Sequence, residues 1–461
     1  MDRATEAVMK TTQEILFTWN RDHLWNPFTP MKNYLEEDPI IIERGEGVKL
    51  FDVNGRAYWD GYSSLWLNVH GHNVPELNAA VTEQLEKIAH ATLLGSANVP
   101  AIQLAKRLAD LAPPGLRKVF FSDSGAEAVE IAVKMAFQYW QNLGRPEKRR
   151  FITLTGAYHG DTIGAVSVGA IESFHARFGP LLFPTIRIPY PYSYRHPSGD
   201  PEVAFQDSLE KLEAILRDQA DEIAALIVEP VMQGAAGMIR MPDGFMAALA
   251  DRLKAHDVLL IADEVATGFG RTGAMFAVEH DGVVPDFLTL GKGLTGGYLP
   301  VAATLTTDRI YEAFWGEEIE GKTFYHGHSY TGNPLGCAVA LANLDLMEKR
   351  KLLEHVRWLS ARADARLSAF RELPYVGDVR QAGLMIGIEI VRDRATKAPF
   401  PPEVRIGRKI VARARELGLL TRPLGDVIVF MPPLATPEAA LEAMMNILYQ
   451  AIAEVTEKEA G

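Results

Sequence analysis

Cysteine is almost absent: Cys337 is the one cysteine in 461 residues. No internal disulfide can form, and the small apolar setting Gly336-Cys337-Ala338-Val339-Ala340 predicts a packed thiol rather than a nucleophile. Long apolar runs are missing too. None approaches the ~20 residues of a membrane helix, so no membrane partner is expected. At the N-terminus, Met1-Asp2-Arg3-Ala4-Thr5-Glu6 places acid where a signal peptide carries base, and no apolar core follows. Positive charge is in deficit: 47 Lys and Arg face 59 Asp and Glu, a net charge of −12. Nucleic acid and anionic membrane surfaces would not be drawn to such a chain, and an anionic substrate would need local positive charge. Repeats, low-complexity tracts and long linkers are also lacking. The expectation is a cytoplasmic enzyme.

What is present points to a large α/β protein. Apolar residues at 48% and charged ones at 23% are ordinary for a globular chain. The length exceeds the ~250–300 residues at which one core stops growing, so more than one domain is expected. Between about residues 119 and 305, strand-like and helix-like segments alternate. Strands are predicted at 118–121, 150–154, 223–228, 258–262 and 287–290, with helices at 126–140 and 245–256. In the first helix Val129, Ala132, Val133, Ala136, Phe137 and Trp140 share a face, and Glu130 and Lys134 stand at i, i+4. This order favours a mostly parallel sheet flanked by helices. The prolines in Arg187-Ile188-Pro189-Tyr190-Pro191 imply a long surface excursion. After about residue 345 the pattern turns to α+β, with strands near 384–391 and 427–430. A closing helix then carries Leu441, Met444, Met445, Leu448 and Ile452 on one face. The second domain should pack tightly on the first.

Two apolar strands each deliver one charged residue: Asp263 in Leu260-Ile261-Ala262-Asp263-Glu264-Val265, and Lys292 in Leu290-Gly291-Lys292-Gly293. A lone carboxylate and a lone lysine so placed suit pyridoxal 5′-phosphate. The lysine would hold its aldehyde as a Schiff base and the acid would pair with its ring nitrogen. Two ordinary strand ends would look the same, so other motifs must decide. The turn Ser122-Asp123-Ser124-Gly125-Ala126-Glu127 precedes a helix; its small residues and free N–H groups could hold an anion, or Ser124 could simply cap the helix. Gly156-Ala157-Tyr158-His159-Gly160-Asp161 offers an aromatic ring able to lie over a flat cofactor.

Two patterns mislead. Gly268-Phe269-Gly270-Arg271-Thr272-Gly273 matches a dinucleotide fingerprint, but Asp281-Gly282-Val283-Val284-Pro285 would cut short the helix that fingerprint should open. His70-Gly71-His72 and His326-Gly327-His328 lack cysteine or carboxylate at metal-ligand spacing, so loop or cofactor contacts are expected and no metal.

These segments together resemble the class III aminotransferases, fold type I pyridoxal-phosphate enzymes, over nearly the whole chain. The likeness also rests on His23-Leu24-Trp25-Asn26-Pro27-Phe28, Asp60-Gly61-Tyr62-Ser63-Ser64-Leu65-Trp66, His326-Gly327-His328-Ser329-Tyr330-Thr331-Gly332-Asn333-Pro334 and Thr421-Arg422-Pro423-Leu424-Gly425. The Trp25 and Arg422 segments resemble the 8-amino-7-oxononanoate aminotransferase branch, which serves biotin synthesis. The resemblance implies a large domain at 64–345 and a small α+β domain made from 1–63 and 346–461. It also implies roles. Lys292 would bind the cofactor and move the proton, Asp263 would keep the ring nitrogen protonated, and Tyr158 and Val265 would cover the ring faces. Ser124, Gly125 and Ala126 would hold the phosphate, joined by the partner subunit's His328 and Ser329, so a homodimer is required. Arg422 would bind the substrate carboxylate, with Phe28, Leu65, Trp66 and Gly327 completing the substrate site. The family often has tyrosine at Phe28 and tryptophan at Leu65. S-adenosylmethionine and lysine both stay open as amino donor, and the absence of that hydroxyl and indole leans towards lysine. An ω-amino-acid:pyruvate aminotransferase of the same class would share every cofactor residue.

Overall fold

The computed structural model describes residues 12–37 and 39–460. The N-terminal reading of Met1 to Glu6 lies outside them. A seven-stranded sheet forms the centre, in the order Leu116–Ser122, Ala302–Thr307, Phe287–Leu290, Leu259–Asp263, Ile223–Val228, Arg150–Leu154 and Ile186–Ile188. Every pairing is parallel except the two made by Ala302–Thr307, which runs against both its neighbours. All six residues of Ile223–Val228 are buried, as a parallel strand covered by helices on both faces requires.

Register positions the chemistry. Asp263 ends its strand and stands beside Thr289 of the next, and Lys292 follows that second strand by two residues. Both charged groups therefore reach the carboxyl edge of the sheet, where open α/β sheets hold their ligands.

The Gly125–Asn142 helix starts with a capping box. The Ser124 side chain accepts from the N–H of Glu127 while the Glu127 carboxylate accepts from the backbone before it. Val129, Ala132, Val133, Ala136 and Trp140 are buried along it, but Phe137, expected on the same face, is 41% exposed. It lies at the stripe's edge. The expected Glu130 and Lys134 pair is not made: Glu130 accepts from Thr162 and Ala165, while Lys134 meets His326. Tertiary partners outcompete a surface pair whose net worth is only ~0.2–0.5 kcal/mol.

The expected surface excursion near residue 190 is instead the exit of an edge strand. Ile188 and Tyr190 are buried, and the Tyr190 hydroxyl donates to the Ile239 carbonyl at 3.2 Å. Proline suits such an edge, where its missing N–H breaks no ladder. Gly268 to Gly273 turns without opening a helix. His70 is spent on the Asn343 carbonyl and His72 on Asp60. Burial pushes the Cys337 thiol up to about 12, which keeps it protonated and inert.

Two smaller sheets flank this core. Val376–Ala382, Met385–Ile390, Val427–Phe430 and Arg422–Leu424 form an antiparallel sheet covered by the helices Leu352–Arg371 and Ile406–Glu416; the Glu438–Ala460 helix packs on those two and buries Leu441, Met444, Met445, Leu448 and Ile452. Ile42–Glu46, Lys49–Asp52 and Ala57–Asp60 form the other, completed by Leu419–Leu420 from far along the chain. The buried Arg380 guanidinium anchors the first of these sheets to the turn at 237–238: it pairs with Glu389 and Asp378 and donates to the carbonyls of Gly237 and Met238. Among the described residues no helix is long and apolar enough to cross a membrane.

Candidate active site

A cavity of about 320 Å³ opens at the carboxyl edge of the central sheet, lined by Trp66, Gly125, Ala126, Tyr158, Asp263 and Lys292 among others. Asp263 is held on both oxygens. Oδ1 accepts from the Val265 N–H at 3.1 Å and the Thr289 hydroxyl at 3.0 Å, and Oδ2 lies 2.7 Å from His159 Nδ1. One carboxylate aimed this firmly suits a ring N–H partner better than a mobile base would. Lys292 sits in the left-handed region with φ +42°, a strained conformation for lysine of the kind that clusters at functional sites. Its Nζ is 5.0 Å from the Trp66 ring centroid. Burial pushes its ammonium down against the pull of Asp263 and Glu229, which raises the share of neutral, nucleophilic amine.

The walls are equally constrained. A Cβ on Gly125 would stand 2.4 Å from Val265 Cγ1, so only glycine lets the helix start lie against that valine. The first N–H groups of this helix have no partner within it. They face a cavity the right size for a flat phosphorylated ring, and the helix dipole favours the anion. Ser63, Ser64, Leu65 and Trp66 all have positive φ, forming one left-handed turn. Each such residue costs ~1–2 kcal/mol, and the surroundings offset that. Ser64 bonds Asp60 through both its N–H and hydroxyl, Ser63 donates to the Met431 carbonyl, and buried Arg271 donates to the carbonyls of Pro432 and Asn68. The turn thereby presents a buried Trp66 whose Nε1 has no partner among the described residues, and the buried His159 Nε2 has none among them either. Glu229 joins two walls, accepting from the N–H of Tyr158 at 3.1 Å and of Gly234 at 2.9 Å. Burial pushes its carboxyl up to about 7.

Of the residues expected from the sequence, Lys292, Asp263, Tyr158, Val265, Gly125, Ala126 and Trp66 line this cavity. The Tyr158 hydroxyl donates to Asp161 at 2.6 Å, and burial holds it protonated. Ser124 is exposed and serves as helix cap. Phe28 and Arg422 line an adjoining cavity; Phe28 meets Phe174 edge-on, and Phe174 meets Tyr158. Leu65, 41% exposed, lines neither cavity. Gly327, His328 and Ser329 lie outside both within one chain. His328 Nδ1 instead lies 3.8 Å from Glu127, near Asp123. Glu127 already accepts the backbone N–H groups of Asp123 and Ser124, so the capping box accounts for its place in the cluster.

Sequence reasoning missed His159, Thr289, Glu229 and Arg271. Glu229 carried a readable signal, since it directly follows an apolar strand much as Asp263 closes one. Thr289 was visible as a polar residue inside an apolar strand.

Comparison with known proteins follows the same line. The family profile described as "Aminotransferase class-III" matches residues 32–452. A protein of Anoxybacillus flavithermus, named adenosylmethionine-8-amino-7-oxononanoate aminotransferase, is 56% identical over 439 residues, 95% of this chain and 96% of its own. A protein of the same name from Aquifex aeolicus is 54% identical, covering 96% of this chain and 97% of its own. Among solved structures, that of the Methanocaldococcus jannaschii protein of this name has a TM-score of 0.91 at 45% identity, covering 96% of this chain and 99% of that one. An (S)-enantioselective omega-transaminase from Thermomicrobium roseum has 0.92 at 38% identity, covering 97% and 100%.

Proposed function

Because this chain belongs to the class-III aminotransferases, we infer that it is a pyridoxal-phosphate enzyme that aminates 8-amino-7-oxononanoate to 7,8-diaminononanoate in biotin biosynthesis. The observation that carries the chemistry is the arrival of Asp263 and Lys292 from adjacent strands in one cavity. Bound there, pyridoxal phosphate supplies an electron sink for the carbon that loses its proton.

The chain's own residues would do the rest. Lys292 Nζ would take the proton from the donor's α-carbon and in the second half-reaction deliver one to C7 of the acceptor. Asp263, steadied by His159 and Thr289, would hold a proton on the ring nitrogen. The N–H groups of Gly125 and Ala126 would bind the phosphate, and Tyr158 and Val265 would confine the ring. Arg422 would pair with the substrate's far carboxylate; its half-buried place, where burial pushes the guanidinium's pKa down, favours a bound anion.

A homodimer is part of this reading, with the partner subunit's His328 and Ser329 completing the phosphate site. In support, Leu94 and Ile319 are over 90% exposed on one chain, which apolar residues at an interface would be before assembly. A cytoplasmic location fits the same reading. For the donor, the relatives' names carry adenosylmethionine, and we take that donor over lysine. Phe28 and Leu65, which favoured lysine, are both partly exposed and line no wall of the Lys292 cavity, so their apolar character says little about it. The test is single-turnover loss of the donor's amino group with S-adenosylmethionine and with lysine separately, followed by diaminononanoate formation. Reaction with lysine alone would reverse the donor assignment. Brisk reaction of simple ω-amines, with no oxononanoate amination, would make this an ω-amino-acid aminotransferase.

A further inference from the structure

Beside the Lys292 cavity lies a second, of about 810 Å³, whose walls include Phe28, Tyr62, Arg405, Arg408, Arg415 and Arg422. None of these four arginines forms an ion pair or a side-chain hydrogen bond among the described residues. The acids in the same walls are Glu37 and Asp426, and burial pushes the Asp426 carboxyl up, towards its neutral form.

The helix Ile406–Glu416 sharpens the contrast. Arg408, Val411, Ala412 and Arg415 fall at i, i+3, i+4 and i+7 and line the cavity. Off that face, Lys409 pairs with Glu459 at 2.7 Å, and Arg413 with Glu454 at 2.7 Å and Glu416 at 2.8 Å. Among the described residues, the cations away from the cavity are neutralised and those facing it are not. Helix stability does not account for this, because Arg405 and Arg408 occupy the end of the helix where positive charge is unfavourable. A chain of net charge −12 repels anions overall, so uncompensated arginines gathered in one apolar-walled cavity define a local exception.

We propose that this second cavity is a capture chamber for the acceptor, in which Arg405 and Arg408 select a chain ending in a carboxylate and draw it toward Arg422. The proposal rests on the reading of Arg422 as the carboxylate's final partner. The alkyl part of such a substrate would lie against Pro27, Phe28 and Pro30, which line the same space, and its carbonyl end would continue past Tyr62 towards Tyr158.

The test uses nonanoate as an anionic probe and nonan-1-ol as its neutral match, measured by calorimetry on cofactor-loaded enzyme. Substituting both residues in one protein, Arg405→Gln with Arg408→Gln, should weaken nonanoate binding about five- to tenfold at low salt and lower kcat/KM for oxononanoate alike. The difference should shrink as added salt shortens the screening length, while nonanol binding should stay within twofold. The charge-keeping pair Arg405→Lys with Arg408→Lys should recover most of the binding, which a folding defect would not. Nonanoate affinity within twofold of wild type in the glutamine pair would overturn the proposal, as would an equal loss of nonanol. If the wild-type enzyme fails to aminate oxononanoate, the functional reading falls, and the nonanoate comparison still decides the chamber.

Discussion

Gly125→Ala is the sharpest small perturbation of this site, because it adds a single methyl group against one identified neighbour. The added Cβ would stand 2.4 Å from Val265 Cγ1, 3.0 Å from Cγ2 and 3.3 Å from Cβ. At the first distance something must move. The choices are the Val265 side chain, which lines the cofactor cavity, or the start of the Gly125–Asn142 helix, which presents the phosphate-facing N–H groups. Overpacking of this kind costs ~1–3 kcal/mol. The backbone of Gly125 is not in the left-handed region, so the penalty is steric rather than conformational. If it falls on the bound state, affinity for pyridoxal phosphate should drop by roughly five- to 150-fold, since ~1.4 kcal/mol is tenfold. The assay is titration of apoenzyme with the cofactor, followed by its visible absorbance, alongside the melting temperature of the apoenzyme. Val265→Ala in the same chain removes both Cγ atoms and leaves the 3.3 Å contact, so the double variant should regain most of the lost affinity, giving a coupling of ~1 kcal/mol or more. Gly125→Ala binding cofactor within twofold of wild type, or a double variant no better than the single, would refute the assignment of this contact as a wall of the cofactor site.

Lys292→Ala should fold, as judged by an unchanged melting profile of the apoenzyme, and lose turnover by at least ~10²–10⁴-fold, the worth of a positioned proton-transfer group; near-normal activity would remove it from the mechanism. Arg422→Ala should lower kcat/KM for oxononanoate by at least about thirtyfold, since breaking a desolvated charge pair costs ~2–5 kcal/mol; an effect within twofold would return it to a structural role. Glu229 makes the apoenzyme pH-sensitive in a defined direction. Its carboxyl is raised from 4.5 to about 7, so the folded state binds the extra proton between those values and stability from this group, up to ~3 kcal/mol, is lost as pH rises through 7. Glu229→Gln should therefore gain stability relative to wild type between pH 5 and 8 in urea unfolding of the apoenzyme; parallel curves would show that Glu229 does not titrate there.

The fold was legible where strands were mostly apolar. Three of the predicted strands, 150–154, 223–228 and 287–290, coincide with the observed elements, because a strand buried on both faces is predominantly apolar along its length, 223–228 without interruption. Ala302–Thr307 went unread for the opposite reason. Thr304 and Thr306 are buried, and they satisfy their hydroxyls on the carbonyls of Ala128 and Asp286, partners that only the folded chain supplies. The early strand Ala57–Asp60 pairs with Leu419–Leu420, and no local pattern announces a neighbour so distant in sequence.

The same division runs through the site. Asp263 and Lys292 stood out as lone charges delivered by apolar strands, a pattern ordinary strand ends share, and the turns around Ser124 and Tyr158 gave it meaning. Glu229 carries that mark too, yet it works through two backbone N–H groups, and its role appears only once the Tyr158 and Gly234 turns are brought to it. Arg271 illustrates the limit. Inside a glycine-rich string that only imitates a dinucleotide fingerprint it had no assigned role, whereas in the structure it is buried and holds the left-handed Trp66 turn by donating to the carbonyls of Pro432 and Asn68. Burial lowers its pKa to about 9, and Asp60 opposes that shift. Four consecutive residues with positive φ, none of them glycine, leave no trace in local propensity. They persist because distant groups hold them, and the element that carries Trp66 to Lys292 is therefore the part of the site a single sequence is least able to reveal.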